Sequence, residues 1–440
     1  MQLFNIFNYG AVGDGVTDDA VSIQKAINEC EKTGGTVIVP SGYTFYSSSI
    51  IAKANVELHI ESGATLKATG DIDGYFRPCE KLNNPKTAPV GNPVSKPAFA
   101  FIYGYNADGF SITGEGTIDG NCYAFVKRQN EYYVTGDFYP RPTTVYIENS
   151  KNISFSDVTM TNAPFWTLHP AGCENVIIDR IKILNPLDVA NSDGIDPDHC
   201  NNVEIKNCEI RCADDCICLK NTSGNNEYGV CRNIRVHDCD LTSTSAAIKI
   251  GTEGVADFSN IIFERCRITS SNRGISIQVR DSGNVSNVLF SDITIDTRRF
   301  HSSWWGTAEP IIITSFRRDK NTRSGKIENI TFKNISCDSE NGVLINCDNG
   351  EIEDINFDNI NVKVRKKSKW ETGFYDLRPC VDHEIESVSN NALRLRNCRN
   401  ISFKNCKFAI EKNNGYSEPF FAENVSELCV SETSFVKELE

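Results

Sequence analysis

Two aspartates stand side by side in ADDCICLK, Ala213 to Lys220, at the start of a short run that reads as a buried strand. Adjacent carboxylates at such a place fit a solvated turn, a cation site or a pair of catalytic acids. A third acid, Asp193 in NSDGIDPDHC (191–200), precedes Asp214 by 21 residues and Asp215 by 22. If that spacing is one turn of a repeating coil, the three carboxylates stack on neighbouring coils. Such a group suits acid/base hydrolysis: one carboxyl protonates a leaving oxygen while another carboxylate activates water. Mutual repulsion keeps one of them protonated near neutral pH.

The elements that would position these acids repeat along the chain. From about residue 150 one phrase returns: NISF at Asn152, NVII at Asn175, NVEI at Asn202, NIRV at Asn233, NIIF at Asn260, NVLF at Asn287, NITF at Asn329, DINF at Asp354 and NISF at Asn400. The first five intervals run from 23 to 31 residues, a solenoid period. Within each unit apolar residues alternate with polar ones in β-branched runs, punctuated by Asn, Gly, Ser or Cys. One unit cannot bury its apolar face alone, so units must stack, and the architecture that fits is a parallel β-helix. The repeated Asn reads as a turn residue that tolerates the left-handed region and can bond its counterpart on the next coil.

Two intervals are longer: Asn287 to Asn329, with RRFHSSWWGTAEP (298–310), and Asp354 to Asn400, with RKKSKWETGFYDLRP (365–379). Each holds a degenerate coil or a long loop, the kind of segment that walls a groove. At the other end, DDAVSIQKAINECEK has helical spacing, with Ala20, Ile23, Ala26 and Ile27 on one stripe. That helix is a candidate cap for the open end of the solenoid, residues 1–50 forming cap and first coil, 150–410 the regular coils, and 1–440 one domain. Asp14, Asp18 and Asp19 read as turn and cap residues.

Composition narrows the function. The 440 residues carry a formal net charge of -13, with 40% hydrophobic and 23% charged residues, enough apolar material for a large core. The acidic balance argues against a nucleic-acid or anionic-membrane partner. No basic-then-apolar leader and no run of about 18 apolar residues is present. The 18 cysteines, spread without a secretory signal, point to reduced thiols and a cytoplasmic setting. Cys173, Cys200 and Cys231 read as small buried hydrophobes stacked coil on coil. CADDCIC has no partner Cys-x-x-Cys or His pair, so no zinc is expected, and no cofactor. GAVGDG lacks the Gly-Lys-Ser/Thr of a phosphate loop, and no Gly-x-Ser-x-Gly elbow supports a Ser-His-Asp triad.

Taken together, the motifs resemble those of glycoside hydrolase family 28, the polygalacturonase family. GAVGDGVTDD looks like the N-terminal signature of pectin-degrading β-helices. GTIDGN (116–121), PFWTLHPAGCENV (164–176), NSDGIDPD and ADDCICLK follow in the family's order. The resemblance implies a right-handed parallel β-helix and a hydrolase of pectin-like oligosaccharides. By analogy Asn191 and Asp193 match the Asn-Thr-Asp motif and Asp214 and Asp215 the Asp-Asp pair. Asp214 would then be the general acid, with Asp193 and Asp215 holding and activating the water. Inversion is the implied outcome, for which carboxyl groups roughly 6.5–9.5 Å apart are usual.

The departures from the family pattern are specific. Where it has Gly-His-Gly, this chain reads SAAIKIGTEG, with Ala246 in the histidine's place; where it has Arg-Ile-Lys, GISIQVRD puts Ser276 and Gln278 at the basic positions. Strand alternation suggests a substitute: with Ile217, Leu219, Ile248, Ile250, Ile275, Ile277 and Val279 inward, Lys220, Lys249 and Arg280 turn outward on three coils. They form either a basic ladder for an anionic sugar or charge compensation for the aspartates. His169 is a structural histidine or a substrate contact, Glu253 a loop acid or an extra carboxylate. Trp304 and Trp305, adjacent in a Gly- and Pro-bounded loop, are candidates for a sugar-binding wall, while Arg317 and Arg318 read as solvated. The competing functions are a lyase that binds calcium and uses a basic residue as base, and a non-catalytic carbohydrate-binding β-helix. Exo-action is expected over endo-action, because a cytoplasmic enzyme meets oligosaccharides rather than polymer.

Overall fold

The computed structural model describes residues 2–78, 96–128, 134–135, 141–302, 304–412 and 415–438. The chain forms two compact units, Met1–Asp214 with Thr222–Gly229, and Asp215–Asn221 with Val230–Glu440.

In the first unit each coil lays down three short strands, and like strands pair in parallel from coil to coil. Lys151–Ser156, Glu174–Asp179 and Asn201–Lys206 make one face, with Ile153, Val176 and Val203 in register and Phe155, Ile178 and Ile205 beside them. Thr159–Thr161, Lys182–Leu184 and Glu209–Cys212 make a second, aligning Met160, Ile183 and Ile210. Ala100–Tyr105, Thr143–Glu148 and Leu168–Ala171 make a third, aligning Ile102, Val145 and Leu168. Every residue in these rows is buried. Period-two alternation in short strands, closed by a turn after each, produces stacked inward-facing rows.

The turns explain the repeated asparagine. Asn152, Asn175 and Asn202 all have φ between 56° and 60°, and Asn175 donates to Asn152 at 3.0 Å, Asn202 to Asn175 at 2.7 Å. Asn pays little for the left-handed region, and its amide supplies both donor and acceptor for a continuous ladder.

The second unit repeats the scheme. Ile217, Ile248, Ile275 and Ile311 align inside, as do Leu219, Ile250, Ile277, Ile313, Ile345 and Leu395. On another face Phe263, Phe290, Phe332, Phe357 and Phe403 stack with ring centroids 4.9–5.3 Å apart. The two long intervals are loops inserted into single coils: Asn329 donates to Asn287 at 2.6 Å although 42 residues separate them. From the second insertion, Phe374–Asp376 and Ile385–Ser387 pair as an antiparallel hairpin, and Tyr375 and Leu377 pack on Ile312, Phe316 and Leu344. Ile312 and Leu344 lie in register with Lys249 and Ser276, so the hairpin covers the outward face of the later coils.

The helix Ala20–Glu31 buries Ala20, Ile23, Ala26, Ile27 and Cys30. Its first N–H, from Ala20, is capped by Asp18, while Asp19 accepts from Val12 and Gly13 and ties the preceding turn. Asp14 accepts from Val16 and Thr17, a turn residue as its sequence context predicts. The described cysteines are all thiols; Cys173 and Cys200 donate to the carbonyls of Ile147 and Pro170 on the preceding coil. Among the described residues no helix is long and apolar enough to cross a membrane.

Candidate active site

Within the first unit, Asn191, Asp193 and Asp214 come together. Carboxylate oxygens of Asp193 and Asp214 lie within 4.8 Å of one another, and both residues are buried. The Asn191 N–H donates to Asp214 Oδ2 at 3.2 Å, and the turn beneath is fixed by Ser192, whose hydroxyl donates to the Val189 carbonyl and accepts from the Ala213 N–H. Asn191 has φ 58°, which aims its N–H and amide in directions ordinary extended backbone would not allow. Its Oδ1 accepts from Arg141 Nη2 at 3.0 Å. Arg141 is itself buried, donating to the Pro164 and Ala190 carbonyls with its guanidinium over the Phe165 ring. Sequence reasoning passed over Arg141: it sits in YPRPTT, outside every repeat, and its partners are 23 to 50 residues away.

His169 has partners that fit a structural histidine. It is buried between the rings of Tyr146 and Trp166, and its Nε2 lies 3.1 Å from Asp198 Oδ2. Asp198 also accepts from the Thr222 N–H, the Thr222 hydroxyl and the Asn225 amide. Burial alone would raise the Asp198 carboxyl, but the His169 hydrogen bond and the His169 and His199 charges outweigh it and hold it well below the usual carboxylate range.

Asp215 follows Asp214 in the chain and belongs to the second unit, where it is buried under three donors. Ser245 Oγ and the Ala246 N–H reach Oδ1 at 3.1 and 3.3 Å, and Lys249 Nζ reaches Oδ2 at 2.7 Å. Lys220 is buried too and pairs with Glu253 at 3.2 Å; Arg318, far from solvated, binds Asp281 at 2.6 Å and approaches Glu253 at 3.9 Å. Burial would raise the Glu253 carboxyl, yet Lys220, Arg318 and Lys249 together pull it down to about 2.

The predicted three-rung basic ladder is not formed. Lys249 lies in register with Cys218 and Ser276, not with Lys220. Arg280 falls after the strand Arg273–Val279 ends, so alternation no longer governs it, and it is fully buried. Its guanidinium donates to the Pro379 and Leu377 carbonyls and to Thr314 Oγ1, pinning the hairpin segment. Burial, aided by Arg318 and Arg273, lowers its pKa to about 10.

The tryptophan pair divides. Trp304 is 3% exposed and belongs to the core, so it offers no face to a sugar; Trp305 is 36% exposed, with the Arg378 guanidinium 4.9 Å from its ring centroid. Arg378 is held bidentately by Asp376, and Asn272 fixes the Trp305 carbonyl. Arg378 escaped the sequence reading because its partner Trp305 lies in a different insertion.

With this geometry in place, comparison with known proteins is decisive at family level. The model of "Glycosyl hydrolases family 28" matches residues 33–376. The chain belongs to glycosyl hydrolase family 28. A probable polygalacturonase of Vitis vinifera is 32% identical over 263 residues, covering 57% of this chain and 51% of that protein, so the chain spans about half the length of that relative. An endo-polygalacturonase of Pectobacterium parmentieri is 26% identical over 363 residues, covering 80% and 85%. Among solved structures, an exopolygalacturonase from Thermotoga maritima superposes with a TM-score of 0.64 at 22% identity, covering 83% of this chain and 88% of that one. The family 28 fold, a right-handed parallel β-helix with a short N-terminal helix, is the fold of this chain.

Proposed function

We propose that this family 28 protein is a glycoside hydrolase that cleaves O-glycosidic bonds in pectin-like oligosaccharides by inverting acid/base hydrolysis, acting from chain ends. The observation that carries the reading is the buried Asp193–Asp214 pair with Asn191 donating to Asp214. Two carboxylates this close and this buried do not share full charge cheaply, which suits one of them to hold a proton. In the proposed step Asp214 gives its proton to the glycosidic oxygen as the C–O bond breaks. Water, held by Asp193 and Asp215, forms the new C–O bond from the opposite face and gives its proton to a carboxylate, and solvent exchange resets both.

The Asp193–Asp214 oxygens are nearer than the roughly 6.5–9.5 Å usual for inverting carboxyl pairs. Support for inversion comes instead from the family 28 match over residues 33–376, within which all three aspartates lie. The calcium-lyase reading loses its base: Lys249 is an ammonium paired to Asp215, Lys220 is paired to Glu253, and Arg280 lies beneath the hairpin. Exo-action is supported by that hairpin, which covers the outward face over Ile312 and Leu344. Trp305 with Arg378 remains a candidate sugar-stacking wall.

The test is product analysis on pectic and non-pectic oligosaccharides. New reducing ends of inverted anomer, one terminal unit at a time and unaffected by chelator, are expected. Unsaturated products lost on chelation would establish a lyase, and retained anomer a double displacement. Asp214→Asn should lower kcat by at least ~10³-fold with unchanged circular dichroism; full activity in that variant overturns the assignment.

A further inference from the structure

Lys249 has a place in the second unit that goes further than the charge-compensation reading of the basic residues. It leaves the strand Ala246–Gly254 between two small neighbours in register, Cys218 and Ser276, so its stem is not crowded and its ammonium reaches Asp215. The Cys218 thiol is occupied, donating to the Gly251 carbonyl at 2.9 Å. One short stretch, Ser245 to Lys249, thus supplies three donors to both oxygens of Asp215 and fixes the plane of the carboxylate as well as its charge. Ala246, which stands where the family pattern has histidine, contributes only its backbone N–H.

The surrounding charges show where the Lys249 charge is committed. Glu253, Lys220, Arg318 and Asp281 form a chain of ion pairs behind it, buried except for the partly exposed Arg318, in which Lys220 and Arg318 approach Glu253 and Arg318 binds Asp281. Burial alone would lower the Lys249 ammonium, and Lys220 works in the same direction. Asp215 above all, with Cys218 and Glu253, overrides both and holds it above the ordinary lysine range. An ammonium so held is neither a base nor a surplus charge for a uronate.

We propose that Lys249 is a positioning residue for hydrolysis: with Ser245 it holds Asp215 as an oriented anion that accepts the proton of the attacking water, and it does not read substrate charge. This rests on the hydrolase reading above. A carboxylate that must take a proton has to begin each turnover without one, and a buried carboxylate stripped of its counter-ion takes up protons at higher pH.

The experiment compares Lys249→Met, Lys249→Arg and Ser245→Ala with the parent enzyme on the oligosaccharide it cleaves, across pH. Lys249→Met should lower kcat ~10²-fold with KM changed less than about threefold. The acid limb of its kcat/KM profile should move up by about one pH unit. Lys249→Arg should keep the acid limb in place, and Ser245→Ala should move it less than Lys249→Met does. A raised KM with unmoved kcat and acid limb would make Lys249 a substrate-binding cation; a lower kcat with an unmoved limb would make it structural only. Either result overturns the proposal. If the parent cleaves no glycoside, the hydrolase reading fails separately, and the thermal midpoints of parent and Lys249→Met against pH then test the ion pair. A gap that narrows toward acid keeps the pairing, and a gap independent of pH removes it.

Discussion

Arg141 shows how much of a turn a buried charge can organise. Its guanidinium spends three hydrogen bonds on the Pro164 and Ala190 carbonyls and Asn191 Oδ1, so the turn that presents Asn191 and Asp193 is tied to chain 23 to 50 residues away. Replacing it by methionine keeps the contact with the Phe165 ring but strands three acceptors. We expect Arg141→Met to lose about 2–4 kcal/mol in urea unfolding and to lower kcat through disorder at Asn191. A variant of parent stability would show that these bonds are not load on the fold. The positive φ at Asn191 belongs to the same device, since it turns the residue's N–H toward Asp214 while its side chain faces Arg141.

Among the elements, the phenylalanine stack and the hairpin have different jobs. Phe263, Phe290, Phe332, Phe357 and Phe403 repeat one ring position on successive coils, each buried. Phe332 has a ring on both sides, so Phe332→Ala should cost about 3–5 kcal/mol, the range for an aromatic removed from a core, measured by denaturant unfolding; a loss below about 1 kcal/mol would mean the neighbouring coils close over the gap. The hairpin adds nothing to that stack. It lies on the outward face through Tyr375 and Leu377, with Arg280 bonded to its carbonyls. Shortening it between Phe374 and Ser387 should leave the coils folded and shift products from single terminal units toward mixed oligomers, read by chromatography. An unchanged product ladder would remove the support it lends to exo-action.

For the molecule as a whole, the buried Glu253 at the centre of the charge chain predicts a pH dependence of stability. The Glu253 carboxyl drops from an ordinary value near 4.5 to about 2 in the folded protein. Its contribution is therefore fully present above about pH 4.5 and lost as pH falls toward 2. Glu253→Gln should be destabilised at neutral pH, where Lys220 loses its partner, and the difference from the parent should shrink across that window. A difference that stays constant down to pH 2 would show that Glu253 is not ionised in the fold. Lys249, raised by Asp215, acts at the other end: its contribution is present through neutral pH and is lost only as pH rises beyond the ordinary lysine range.

The Asn ladder, the inward Ile rows and the helix stripe at Ala20, Ile23, Ala26 and Ile27 were legible from sequence, because they depend on a period that one strand or one coil already expresses. So were Asp193, Asp214 and Asp215 as candidates, since their spacing matches a coil and their motifs match family 28. What the sequence left open was decided by groups far apart in the chain. Arg280 was expected to face outward and is buried, because a hairpin nearly a hundred residues later folds over it. Trp304 and Trp305 part company because only one of them meets Arg378 at the surface. Lys220 finds Glu253 at a register shift between Leu219 and Asn221, and Lys249 reaches Asp215 three positions before its strand partner Cys218, neither of which alternation encodes. Periodicity is a local property, carried by each repeat on its own; the partner of a buried charge is a property of the packed coils, and only the tertiary structure supplies it.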